Sequence, residues 1–371
     1  MSWPIPKIPA RMVLPQPNYK RWGMILLVML LAGALVVIFL GKVTSYDQTL
    51  LYGVLPALLL WLCFFGLALY RYERSVNASL LWNEETEKTR RHWQRWSRKQ
   101  QLVVGNAILT PEENGVEALL GNPANIPAYP EKARPLFVDL SGLSERLRFI
   151  DREIEEQYPG YRHHLSKIVI QYQENYQEGM IERSVYQQWD LHPECSDTAK
   201  PFCADDQNEP DGLTLLLCLQ DWDGLRGKKH SEFITAQLIT SEPFVSQNTL
   251  SVIAGVGRRL SSDSLIGALD MLTEYNRLEK GAIRYVWLSG MGSDERAQLI
   301  QYAAEKQWAL PERAPLISLD HSFGPPGPLM FPVAISLLTD AAIYTGEMQL
   351  LIYRNAKNSY SLCLITRELF L

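Results

Sequence analysis

The sequence predicts an α/β protein carried on two membrane-spanning helices. Three observations predict it. Two long apolar runs, Trp22–Leu40 and Leu50–Tyr70, lie near the N-terminus. Beyond them, short apolar runs of strand character alternate with helical patterns. Finally, residues 314–365 read as strand, glycine turn, buried helix and β-hairpin in one unit. The 371 residues allow one large or two modest domains, and 47% hydrophobic content excludes overall disorder. A formal net charge of −5 gives no hint of nucleic-acid binding. The five cysteines, Cys63, Cys195, Cys203, Cys218 and Cys363, show no CxxC spacing. Neither a metal nor a cofactor is expected.

Residues 1–21 are proline-rich and basic and read as a flexible arm. Each apolar run is long enough to cross a hydrocarbon core of about 30 Å. The first is too long for a signal-peptide core and is followed by a second span. Trp22 and Tyr70 sit at the ends as interfacial aromatics do. Lys7, Arg11, Lys20 and Arg21 precede the first span; Arg71, Arg74, Lys88, Arg90, Arg91, Arg95, Arg98 and Lys99 follow the second. The loop between holds only Lys42. The positive-inside rule then puts both ends in the cytoplasm; in a bacterium that leaves the whole soluble part cytoplasmic, on the inner membrane. That placement favours reduced thiols over a Cys195–Cys203 bridge. Residues 71–101 read as a basic juxtamembrane helix. It either lies on anionic headgroups or forms a solvated stalk.

The soluble domain is expected from Leu102 to Leu371. An apolar strand runs through Val103 and Val104 into Gly105. Thr110, Pro111, Asn114 and Gly115 form a turn, and Val116–Glu117 opens a helix. Pro135–Leu140 and Lys167–Tyr172 read as strands, with a helix at Ser144–Gln157 between them. Leu213–Gln220 is a buried strand, and Ser231–Thr240 holds another. Ser261–Leu278 reads as an amphipathic helix with Leu265, Leu269 and Leu272 inward, and Ile283–Leu288 as a strand. Near the end, Gly324 and Gly327 suit a positive φ or a close backbone approach, and Leu329–Ile343 suits a buried helix. Gln349–Tyr353 and Tyr360–Ile365 close the chain as a hairpin around Asn355–Asn358.

This order resembles the β-ketoacyl synthases of the thiolase-like superfamily. The strand, Gly, Thr-Pro turn, Asn-Gly pair and Val-Glu helix of residues 103–117 match their first strand and helix. Arg226-Gly227 suits their middle. His321, Gly324 and Gly327 stand where the family has His-x-x-Gly-x-x-Gly. Gly290 and Gly292 match its His-Gly-Thr-Gly-Thr, with Ser289 in place of the histidine. The resemblance implies an αβαβα domain with two pseudo-repeated halves. It also implies a vestigial pocket of Ser289, Gly290, Gly292, His321, Gly324 and Gly327. A ketosynthase needs a cysteine at a helix N-terminus and two histidines. Here one histidine of the pair remains and no cysteine elbow is found, so no catalytic residue is expected. His321 is expected to hold its turn through a hydrogen bond.

A degenerate synthase fold on a two-span anchor resembles the type VI lipase adapter family of type VI secretion. That resemblance implies a non-catalytic adapter that binds a phospholipase effector and aids its loading onto a secretion spike protein. A homodimer is implied by the fold resemblance. The acidic stretch with Asp197, Asp205, Asp206, Glu209 and Asp211 is the candidate partner loop. The alternative is a membrane-bound acyl-transfer or condensing enzyme with Cys218 or His321 in its site. A third option, an immunity protein, conflicts with the charge-based topology.

Overall fold

Asn18 caps the first helix by accepting from the Arg21 amide at 3.3 Å, and α1 (Tyr19–Leu40) follows. A short α2 (Tyr46–Thr49) passes through a π-type turn (Leu50–Val54) into α3 (Leu55–Arg98). The computed structural model describes residues 3–41, 45–121, 123–140, 142–173, 179–196, 212–222, 228–355 and 357–369. It divides into two compact units, Pro6–His92 and Met1–Ile5 with Trp93–Leu371.

In the first unit, Gly33 and Gly53 let two apolar helices touch. A Cβ on Gly33 would lie 2.6 Å from the Gly53 carbonyl oxygen, the kind of approach that small residues permit. Trp61 stacks on Phe65 and donates its indole N–H to the Trp22 carbonyl at 3.0 Å. Both helices are long and apolar enough to cross a membrane by length and composition. The expected flexible arm is instead laid along α3. The Leu14 amide donates to Ser75 Oγ at 3.0 Å, and the Trp82 indole donates to the Pro9 carbonyl at 3.0 Å. Prolines remove competing amide donors from the arm and keep it extended, so α3 side chains supply its hydrogen bonds. The charged part of α3 continues the apolar part without a break, and Lys88 pairs with Glu84 and Glu85 one turn away.

The second unit begins with β1 (Gln101–Leu109). After it come α4 (Glu117–Leu120), α5 (Leu143–Gln157), β2 (Leu165–Tyr172), α6 (Met180–Trp189) and β3 (Glu194–Cys195). Next are β4 (Leu213–Gln220), β5 (Phe233–Thr240) and α7 (Glu242–Asn248). The remainder is β6 (Ala254–Val256), β7 (Leu260–Ser262), α8 (Leu265–Asn276), β8 (Tyr285–Ser289), α9 (Ser293–Glu305), β9 (Ile317–Ser318), α10 (Leu319–Phe323), α11 (Met330–Thr345), β10 (Gln349–Arg354) and β11 (Tyr360–Thr366).

Strand pairing exposes a duplication. In the first half the sheet order is β3-β2-β4-β5-β1; in the second it is β9-β8-β10-β11, with β6 joining β11 to β1 and β7 also pairing with β11. In both halves the fifth strand is antiparallel to its neighbours and the pairs among the second, third and fourth strands are parallel. The counterpart strands β1 and β6 pair antiparallel where the halves meet, as a pseudo-dyad requires. Three apolar clusters give the layers. One joins α5 and α6 to the outer face of the first half's strands. A second joins α8 and α9 to the outer face of the second half's strands. Between them, α11 fills the centre against β1, β5, β10 and β11. The sequence of layers is αβαβα. Helix α11 up to Ala342 and strand β4 are largely apolar because each is covered on both sides.

Two expected elements differ. Pro135–Leu140 pairs with no strand. Pro135 has no amide donor; the Leu136 amide donates to Glu232 and the Phe137 amide to the Thr110 carbonyl. The helix expected from Ser261 starts at Leu265, because residues 260–262 pair with β11.

Candidate functional site

Strands β8 and β9 are parallel neighbours, so the residue ending β8 meets the first turn of α10, which follows β9. The two residues that meet are Ser289 and Asp320. The Ser289 hydroxyl, fully buried, donates to Asp320 Oδ1 at 2.6 Å, and the Gly290 amide donates to Asp320 Oδ2 at 2.5 Å. Gly290 has φ +74°, and a Cβ there would run into the Arg354 carbonyl, so only glycine suits the turn. Burial pushes the Asp320 carboxyl above its ordinary range, although Ser289, Gly290 and Arg296 each favour its charged form. The Tyr353 hydroxyl is also raised, first by burial and further by the Asp320 charge.

Five of the six expected pocket residues fall into three groups, and His321 stands apart. Ser289 and Gly290 hold Asp320. Gly292 belongs to a clamp that ties α9 to the β10–β11 hairpin: its amide donates to Glu295 Oε2 at 2.8 Å, and Glu295 pairs with Arg354 at 3.0 Å and accepts from the Tyr360 hydroxyl. Burial alone would raise the Glu295 carboxyl, but Tyr360, Gly292 and Arg354 outweigh it and hold it below its ordinary value. Gly324 and Gly327 pack the turn against the first half. The Phe323 carbonyl accepts from Ser231 Oγ at 2.5 Å, and the Leu329 amide donates to Gln220 Oε1 at 3.1 Å. Gly324 has φ +93°, and a Cβ on Gly327 would overlap the Gln220 amide group. His321 departs from expectation. Its side chain is exposed, and its backbone carbonyl, not its imidazole, makes the contact, accepting from the Tyr129 amide at 2.7 Å. Among the described residues the imidazole has no hydrogen-bond partner.

Cys218, expected in the site of an enzyme, lies inside β4, and burial pushes its thiol well above the ordinary range. Cys195 ends β3. Its Sγ is 3.4 Å from Glu182 Oε1, and burial together with that carboxylate raises the thiol. A raised thiol carries little thiolate. The acidic loop with Asp197, Asp205, Asp206, Glu209 and Asp211, together with Cys203 and Arg226-Gly227, falls outside the described residues. Asp320 escaped sequence reasoning, although its place one residue before His321 and just past a strand was visible. Two cavities, of about 560 and 390 Å³, are lined by other residues.

No protein-family model matches the chain, and no curated protein matches it. Solved structures do match in fold. AntDE:AntF, a type II PKS acyl-carrier protein in complex with its ketosynthase, superposes with a TM-score of 0.53 at 10% identity, over 72% of this chain and 99% of that one. OleA of Xanthomonas campestris with cerulenin bound gives 0.48 at 9% identity, over 74% and 98%. A β-ketoacyl synthase of Burkholderia phymatum STM815 gives 0.47 at 11%, over 73% and 100%. At such identity the first match shows the fold alone. The second unit has an α/β thiolase-like fold.

Proposed function

We propose that this chain is a membrane-anchored binding protein of thiolase-like fold that does not condense acyl groups. The observation that carries this reading is the closure of the site on itself. An oxyanion needs donors free to receive it. Here the Ser289 hydroxyl and the Gly290 amide already serve Asp320, whose charged form would repel a developing oxyanion. The finer reading is an inner-membrane adapter that escorts a phospholipase effector to a type VI secretion spike, its soluble domain in the cytoplasm. That rests on the sequence resemblance and on the two apolar helices meeting at Gly33 and Gly53. Capture from native membranes, with partners identified by mass spectrometry, tests it. A phospholipase enriched over a membrane-protein control is the expected result. Its absence from repeated captures would overturn the adapter reading.

A second reading is a membrane-bound acyl-transfer or condensing enzyme. The fold match supports it better than it supports the adapter, because the ketosynthase of AntDE:AntF is bound to a hexaketide. The duplication supplies its candidate nucleophile. Cys195 ends the third strand of the first half, the place that Ser318, just before α10, takes in the second. Incubation with medium-chain acyl-coenzyme A followed by intact-mass measurement separates the two. A wild-type adduct that vanishes in Cys195→Ser would establish the enzyme; an unmodified wild-type chain supports the binding protein.

A further inference from the structure

The larger cavity, of about 560 Å³, is an open groove where the end of β1, the turn after it and the C-terminal part of α11 come together. Four of its lining residues are acidic, Glu112, Glu113, Glu117 and Asp340, and none is basic. Glu112 is paired with Arg134. Glu113 and Glu117 are exposed and have no salt-bridge partner among the described residues. The C-terminal carbonyls of α11 add negative potential at the same end. Around the acids the rim is apolar: Phe137 and Tyr344 are 54% and 59% exposed, and Val138 and Ile343 are exposed beside them. Water-facing aromatics on a groove wall mark an interaction site more often than a stability device.

We propose that this groove is the docking site for a basic amphipathic segment of a protein partner, with lysine or arginine beside aliphatic side chains. Charge complementarity selects the sign: Glu113, Glu117 and Asp340 take the cations, and Phe137, Val138, Ile343 and Tyr344 take the apolar face. The exposed rim extends the apolar surface beyond the cavity, which suits a peptide segment better than a small cation held inside. An anionic amphiphile meets Glu113, Glu117 and Asp340 in a lining without a basic residue. The proposal deepens the binding-protein reading and rests on it only in taking the partner to be a protein.

The test uses the full chain in detergent and a fluorescent 18-residue peptide with leucine on one helical face and lysine on the other. The wild type should bind it, more weakly as salt rises. Glu113→Lys/Glu117→Lys should weaken binding at least tenfold and flatten the salt response. Phe137→Ser should weaken it with the salt response retained. Equal melting temperatures check that the variants fold; with the charge reversals confined to the surface, Glu113→Gln/Glu117→Gln replaces them if they do not. Undiminished binding by the variants, equal binding of a glutamate-for-lysine peptide, or binding of tetraethylammonium without the peptide would each overturn the groove. Capture of the native partner by wild type and variants alike sinks the groove and leaves the binding-protein reading standing; failure of the wild type to capture any partner sinks that reading, while the peptide titration still decides the groove.

Discussion

Asp320 is a carboxylate placed where two strand ends meet, and burial raises it although its neighbours favour the charged form. The Ser289 hydroxyl is buried and has Asp320 as its acceptor. Ser289→Ala should therefore cost roughly 1–2 kcal/mol, measured by chemical denaturation. His321→Ala removes an exposed ring that has no hydrogen-bond partner among the described residues and should change stability by less than about 0.5 kcal/mol. A larger loss for His321→Ala than for Ser289→Ala would restore the imidazole to a structural role. Asp340 gives a pH signature. Burial raises its carboxyl to about 6, against an ordinary value of 3.8, although Asn106 donates to it at 2.6 Å. The folded state then holds more protons than the unfolded one between about pH 4 and 6, so stability falls as pH rises through that window. Asp340→Asn keeps an acceptor for Asn106 and should raise stability at pH 7 by on the order of 1–3 kcal/mol, with no gain at pH 4. An equal gain at both values would mean that Asp340 does not titrate in that window.

Helix α11 was legible as an element because its residues up to Ala342 are largely apolar on every face, and that pattern has no stable use outside a covered position. The same holds for β4. Amphipathic α5 and α8 were legible from period alone. Pro135–Leu140 misled because alternating apolar residues also suit an extended segment whose donors go to Glu232 and Thr110, and a single chain does not show which partner an amide finds. The arm misled for a related reason: proline removes helix and sheet but leaves docking along α3 open. Ala334 is fully buried in the middle of α11, between strands of both halves. An unpaired carboxylate there costs several kcal/mol. Ala334→Asp should abolish the cooperative unfolding transition of the second unit, read by near-ultraviolet circular dichroism. A variant that keeps the wild-type spectrum and a sharp transition would remove α11 from the centre of the fold.

At the scale of the whole molecule, the two halves share one strand order, and the duplication explains which parts of the site were visible beforehand. The glycines at 290, 324 and 327 were visible because a positive φ at the first two and the Gln220 side chain against the third leave no place for a Cβ. Asp320 and the acidic groove were not, because each is assembled from segments far apart in sequence. The groove needs Glu113 and Tyr344 together, and Asp320 matters only once β8 lies beside β9. Charge along the chain, by contrast, is local and readable. Basic residues cluster before the first apolar helix and after the apolar part of the second, and the positive-inside rule responds to those flanks rather than to net charge. Both flanks are basic, so the chain should return to the side it started from. A C-terminal alkaline phosphatase fusion should be inactive in a bacterial host, and a C-terminal green fluorescent protein fusion bright. Moving the phosphatase to the loop after Gly41 should switch it on. An active C-terminal phosphatase with a dark fluorescent fusion would place the α/β domain on the oxidising side. There an exposed thiol such as Cys195 would meet disulfide-forming conditions, and a partner in the cytoplasm would be out of its reach.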